Sequence, residues 1–238
     1  MAIVNHCRFH ATFNGIPETI DSAVYPGWAV SSRGYRPMRR ISTAGVKASE
    51  ALASKLPGDV RGLPDVITYS LKVVFCGINP GMRSAVAGLH FANRSNRFWR
   101  VLHLAGFTAR QLEPEEARLL LDYGCGITSA VTRPTVSASD LRRADYEAAR
   151  PFFERKIAMY SPKYLAFLGK PASSVFLNQR SLSWGSQPTT FAGSAVWVLP
   201  NPSGLNRAFT TDMLTVAYRE LFEAAAFVSS PPAVPFSA

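Results

Sequence analysis

A chain of 238 residues in which 26 Lys and Arg face 16 Asp and Glu carries a formal charge of +10; 47% of it is hydrophobic, enough for a sizeable core under a surface that attracts polyanions, nucleic acid first among them. Its three cysteines, Cys7, Cys76 and Cys125, form no C-x-x-C pair, and the histidines at 6, 10, 90 and 103 lack metal-ligand spacing, which argues against a disulfide framework, a zinc site or an iron–sulfur cluster; no metal and no cofactor are expected. No apolar run approaches the roughly 20 residues of a membrane span, and MAIVNHCRFHATF does not read as a secretory leader, so a soluble, cytoplasmic protein is expected.

Residues 1–68 are rich in turn residues and poor in periodicity, and SSRGYRPMRR (31–40) packs four Arg into ten residues. Eight basic and five acidic side chains leave this segment at +3, so +7 belongs to residues 69–238. A basic extension without fixed structure is expected, with a short helix at ASEALASKL (48–56). LKVVFCG (71–77) reads as a buried strand with Cys76 as a small hydrophobe. NRFWRVLHLAG (96–106) reads as a helix with Phe98, Val101, Leu102 and Ala105 on one face and Gly106 as its stop. EPEEARLLLDYG (113–124) has acids in a first turn and a closing Gly, and RPFFERKIAMY (150–160) has Pro151 at a first-turn position. KYLAFLG (163–169) and SAVWVLP (194–200) read as further buried strands. TTDMLTVAYRELFEAAAF (210–227) reads as a closing amphipathic helix capped by Thr211 or Asp212. A Pro-rich tail follows at 229–238. Strands alternating with helices predict an α/β fold: one three-layer domain over 69–228 around a central, largely parallel sheet.

Three predicted strands end in polar or Gly/Pro turns, GINPG (77–81), GKPAS (169–173) and PNPSGLNR (200–207). Ligands of open parallel sheets bind beyond the carboxyl ends of the strands. If these strands are neighbours, Asn79, Lys170, Asn201, Ser203 and Arg207 meet in one cleft; ordinary turn chemistry is the alternative. G-x-x-x-x-G-K-[ST] and G-x-S-x-G are absent, which disfavours a nucleotide kinase or an α/β-hydrolase.

The segments VVFCGINPG (73–81), GLHFANRSNRFWRVL (88–102), LLDYGCGIT (120–128), RPT (133–135), LGK (168–170) and VWVLPNPSGLNR (196–207) resemble, in order and spacing, the mismatch-specific uracil/thymine DNA glycosylases, a branch of the uracil-DNA glycosylase superfamily. The resemblance runs from about residue 71 to 225. It implies a monomeric, monofunctional glycosylase whose partner is double-stranded DNA containing G·U or related mismatches. Such an enzyme starts base excision repair by removing uracil opposite guanine, 3,N4-ethenocytosine and, less readily, thymine. Gly204, Leu205, Asn206 and Arg207 match the loop that wedges into the duplex and meets the widowed guanine, and Ser203 and Lys170 are phosphate contacts. Phe91 matches an aromatic ring that stacks on the everted base, Ser84 a residue beside the pocket, and Ile78 and Asn201 the pocket itself.

Asn79 is the candidate catalytic residue. A carboxamide is no general base at neutral pH, but it holds a water in line with the anomeric carbon, and Pro80 biases it away from the helical region. Asn201 stands where faster members carry His, so slow turnover is implied. His90 departs from a common Pro, and Ser129 and Ser186 from Lys found in relatives. Two further readings stand beside this one: a DNA module that binds mismatched or damaged sites without catalysis, and an enzyme acting on free nucleosides.

Overall fold

Strand β1 (Val73–Gly77) is buried along its whole length, and its alternate side chains feed two cores. Val73 and Phe75 face one, Val74 and Cys76 the other, as the two-residue period of a strand demands. Such double-sided burial explains why the strand reads as an unbroken apolar run. The computed structural model of the protein describes residues 62–227; residues 1–61 of the expected extension, the helix expected at 48–56 and the Pro-rich stretch at 229–238 lie outside the described residues.

Within that range the order is β1, α1 (Met82–Ala87), α2 (Phe98–Ala105), a 3-10 helix (Pro114–Tyr123), β2 (Cys125–Ser129), α3 (Arg143–Tyr160), β3 (Tyr164–Leu168), α4 (Lys170–Phe176), β4 (Gly185–Phe191), β5 (Ser194–Leu199) and α5 (Thr211–Phe227). The five strands lie in the order β2-β1-β3-β5-β4. All neighbours are parallel except β4, which runs antiparallel to β5 at an edge. Phe98, Leu102, Leu214, Tyr218 and Leu221 of α2 and α5 cover one face, and Tyr146, Phe153, Ile157 and Phe176 of α3 and α4 the other. The fold is therefore the expected three-layer α/β domain with a mostly parallel sheet.

Three local expectations are corrected and one strand is added. The ordered fold starts before residue 69: Val66 is buried and exchanges two main-chain hydrogen bonds with Ile127, at 2.9 and 2.7 Å, adding an antiparallel bridge outside β2. Asp65 locks the same segment, receiving Lys156 Nζ at 2.6 Å and the Thr128 hydroxyl at 2.7 Å. The helix expected at 113–124 is a 3-10 helix; its buried residues, Ala117 and Leu120, are three apart, the repeat of that helix. The helix expected to start at Pro151 starts at Arg143, where Asp145 accepts the Arg142 N–H at 2.7 Å. It continues through Pro151 because Tyr146, Phe153, Ile157 and Tyr160 form one buried stripe that outweighs the lost backbone bond. Strand β4 had no apolar run to announce it; its Pro188 is tolerated because the strand is an edge.

The Asp65–Lys156–Thr128 cluster and buried Val66 predict that a chain starting at residue 62 is more stable than one starting at 69. The expected difference is about 2–4 kcal/mol, from lost apolar burial and a stranded ammonium. Urea unfolding of the two chains measures it, and equal midpoints would contradict the placement of 62–68 in the domain.

Candidate active site

The parallel order sets the carboxyl ends of β1, β3 and β5 side by side, and Gly169 is where they touch. Its φ is +118°, and a Cβ there would lie 3.6 Å from Ile78 Cδ1 and 3.7 Å from Asn201 Cβ. Those are ordinary contact distances, so a side chain at 169 is disfavoured by the backbone strain of the positive φ and not by lack of room. The loops that follow β1, β3 and β5, from which Asn79, Lys170, Asn201, Ser203 and Arg207 were expected to meet, thus lie side by side, with Ile78 and Asn201 within contact distance of Gly169.

Asn79 follows half-buried at the end of β1. Its Nδ2 donates to Arg133 O at 2.9 Å and to Thr135 Oγ1 at 2.7 Å, and the Thr135 hydroxyl donates onward to Ser137 O at 2.7 Å. A carbonyl oxygen only accepts, so Arg133 O decides which end of the amide faces it. Both Nδ2 protons are thereby committed, while Oδ1 takes no hydrogen bond from the described residues. The main chain doubles this attachment: Thr135 N donates to Pro80 O at 3.1 Å and Met82 N to Thr135 O at 3.0 Å. The RPT segment therefore acts as the mount for Asn79. The Arg133 guanidinium meanwhile pairs with Asp145 at 2.9 Å, and this carboxyl is held below its usual range by the Arg142 N–H first and Arg133 second.

The next loop presents Phe91. The buried Ser84 hydroxyl accepts the Ala92 N–H at 3.2 Å, and His90 is buried with Nε2 2.8 Å from Pro64 O. Burial lowers the His90 pKa, so the ring is neutral, with its proton on the nitrogen that faces the carbonyl. Between these anchors Phe91 adopts φ +54° and stacks on buried Phe98, with centroids 4.0 Å apart and planes at 27°. Ser84 thus touches the pocket through the loop it holds.

The third loop carries Leu205, whose side chain is 80% exposed, the most solvated large apolar group of this loop. The loop is nonetheless rigidly held. Asn201 Oδ1 accepts the Ser203 N–H at 2.9 Å, and Asn206 Nδ2 donates to Asn201 O at 2.9 Å. Arg97, at the start of α2, donates through its guanidinium to the carbonyls of Pro202, Ser203, Asn206 and Phe209. Gly204 is required by Ser95, whose carbonyl oxygen would lie 2.6 Å from a Cβ at 204. The amides of Leu205 and Asn206 are spent on Ser203, at 3.3 and 3.0 Å, which leaves the Gly204 peptide as the group of this stretch without a partner among the described residues. Arg207 is exposed.

Sequence reasoning missed Arg97, Ser95 and Thr135, because carbonyl partners far along the chain leave no local pattern. A readable signal had gone unused: no Asp or Glu occurs from residue 66 to 112 or from 155 to 211, where twelve Lys and Arg fall. All three strand-end loops and the Phe91 loop come from these two stretches, so none of them carries a carboxylate of its own.

The sequence profile of the Uracil DNA glycosylase superfamily matches residues 64–222, a span that holds every group described above. Among solved structures, an NMR structure of a candidate uracil DNA glycosylase from Methanosarcina acetivorans is similar, at 20% sequence identity and a TM-score of 0.49, covering 68% of this chain and 98% of that one. On the profile match across two thirds of its length, the chain belongs to the uracil DNA glycosylase superfamily.

Proposed function

We propose that the protein is a monofunctional, mismatch-specific DNA glycosylase, working as a monomer in the cytoplasm. It everts uracil mispaired with guanine from double-stranded DNA, and also 3,N4-ethenocytosine and more weakly thymine, and hydrolyses the glycosidic bond to begin base excision repair. The observation that carries this reading is the amide at position 79, its nitrogen tied to Arg133 O and Thr135 Oγ1 and its oxygen unspent at the strand end.

Reaching the glycosidic bond requires the nucleotide to leave the stack, at a cost of a few kcal/mol that is least for a mismatched pair. Leu205 fills the gap left behind, and Lys170 and Arg207 on the loops form a basic rim that holds the backbone. The Gly204 peptide, with Asn206 and Arg207 beside it, meets the orphaned guanine. Phe91, backed by Phe98, offers a flat surface to the base. Bond cleavage leaves cationic character on the sugar and sends the electron pair to the departing base. Water then adds to the anomeric carbon and its proton passes to solvent or to the base. Asn79 Oδ1 accepts a hydrogen bond from that water and aims it. Asn201 has its Oδ1 engaged by Ser203 N, so it meets the base only as a neutral donor through Nδ2. Without a carboxylate at 79 or an imidazole at 201, turnover is slow and selectivity depends on the ease of eversion. A binder without catalysis would share the rim and the exposed Leu205, but it has no use for an oriented amide.

Incubation of a labelled G·U duplex followed by alkali should give a strand break at uracil. Asn79→Ala should slow base release ~100-fold or more, the scale of a misplaced reactant; an intact duplex, or equal rates in the two proteins, would refute the proposal. Thr135→Val should lower kcat about tenfold at unchanged KM, the worth of a lost orienting bond, and Thr135→Ser should restore it. Leu205→Ala and Arg97→Ala should act alike, slowing release from G·U duplex at least ~10-fold while sparing uracil in an unpaired bulge. A uniform loss on both substrates would separate Arg97 from the wedge.

A further inference from the structure

Trp184 stands apart from the other tryptophans of the described chain. Trp99 and Trp197 are buried in the core, whereas Trp184 is 41% exposed, in the turn that leads into β4. The Lys170 ammonium lies 4.5 Å from its ring centroid. The Phe209 ring meets it edge-on, with centroids 5.4 Å apart. These two neighbours tie it to the site. Lys170 directly follows Gly169, the contact point of Ile78 and Asn201, and the Phe209 carbonyl is one of the four held by Arg97.

We infer that Trp184 and Lys170 form a second DNA-contact element, which takes the sugar-phosphate backbone beside the everted nucleotide. A phosphate rests on the ammonium, and the adjoining deoxyribose or base lies against the exposed part of the indole. The inference rests on the DNA glycosylase reading above. The pair is matched to a nucleotide in two respects. The indole face holds the ammonium in one place through its quadrupole, so a normally mobile cation is positioned before DNA arrives. Among the described residues no carboxylate pairs with it, and the stretch from 155 to 211 lacks Asp and Glu. The exposed remainder of the ring is flat and apolar, the surface on which sugars and bases stack regardless of sequence. Leu205 fills the stack; Trp184 grips the strand beside it, and the two sit on stems joined through Phe209 and Arg97.

The test is optical and does not need turnover. The full-length protein is mixed with a G·U duplex whose uridine carries a 2′-fluoro group that blocks cleavage, and tryptophan emission is titrated with acrylamide. Binding should shield Trp184, so that the quenching slope falls at least ~2-fold in wild type and stays unchanged in the conservative variant Trp184→Phe. Trp184→Ala should weaken duplex affinity about fivefold or more, as for one lost stacking contact. Lys170→Gln should lower the slope of log Kd against log salt by about one. If acrylamide still reaches Trp184 in the complex, or Trp184→Ala binds like wild type, the inference falls while the glycosylase reading stands. Failure of the wild-type protein to bind any duplex overturns both.

Discussion

One guanidinium organises the side of the molecule on which DNA recognition is proposed. Among the described residues Arg97 finds no carboxylate; it spends its donors on four carbonyls of the 202–209 loop, and its own backbone N–H donates to Pro202 O at 3.0 Å. Carbonyls that follow one another around a loop all point their negative ends at a common centre only if a cation occupies it. Charge-assisted bonds of this kind are roughly twice as strong as neutral ones. The entropy of ordering the loop is therefore met inside the free protein, and the exposed Leu205 is held out on a stiff support.

The Asn79 mount solves the opposite problem. There the need is to leave one polar atom unspent, and the protein does so by saturating the other end of the same amide. Arg133 O forces the orientation, and Thr135 can only accept from the amide because its own proton goes to Ser137 O. A carboxylate in this place would face two acceptors, so these surroundings suit the neutral amide over the charged acid. A neutral acceptor of this kind is compatible with aiming water and incompatible with deprotonating it. The slow, context-dependent chemistry of the proposal follows from that preference.

The two cores explain which elements were readable. Strands β1, β3 and β5 are buried on both faces, and their apolar runs are visible against any background. Strand β4 is an edge whose inward residues include Gln187, which satisfies itself on the carbonyls of Ser183, Gly185 and Ser186. A strand of that kind has no hydrophobic signature. Helix α3 hid its first two turns because Pro151 looks like a beginning when read locally, and only packing against Phe167 and Phe176 shows that Tyr146 and Phe153 belong to one stripe. Segment 62–68 reads as part of the extension because what holds it, a bridge to Ile127, an ion pair with Lys156 and hydrogen bonds with Thr128 and His90, is made to distant residues.

The sequence by itself determined the layered α/β class, the strand ends at which chemistry gathers, the acid-free stretches and, through its motifs, the resemblance to the superfamily. These depend on neighbours along the chain: burial periodicity, turn residues and local charge. The tertiary structure alone decided which oxygen of the loops each donor meets, Arg97 on the third loop and Asn79 on the 133–135 segment, and which remote residues touch, Ser95 against Gly204 and Lys170 over Trp184. Hydrogen bonds to backbone carbonyls are blind to the identity of the residue that supplies them. No choice of side chain therefore records them, and they exist only once parallel strands have carried remote loops to the same edge of the sheet.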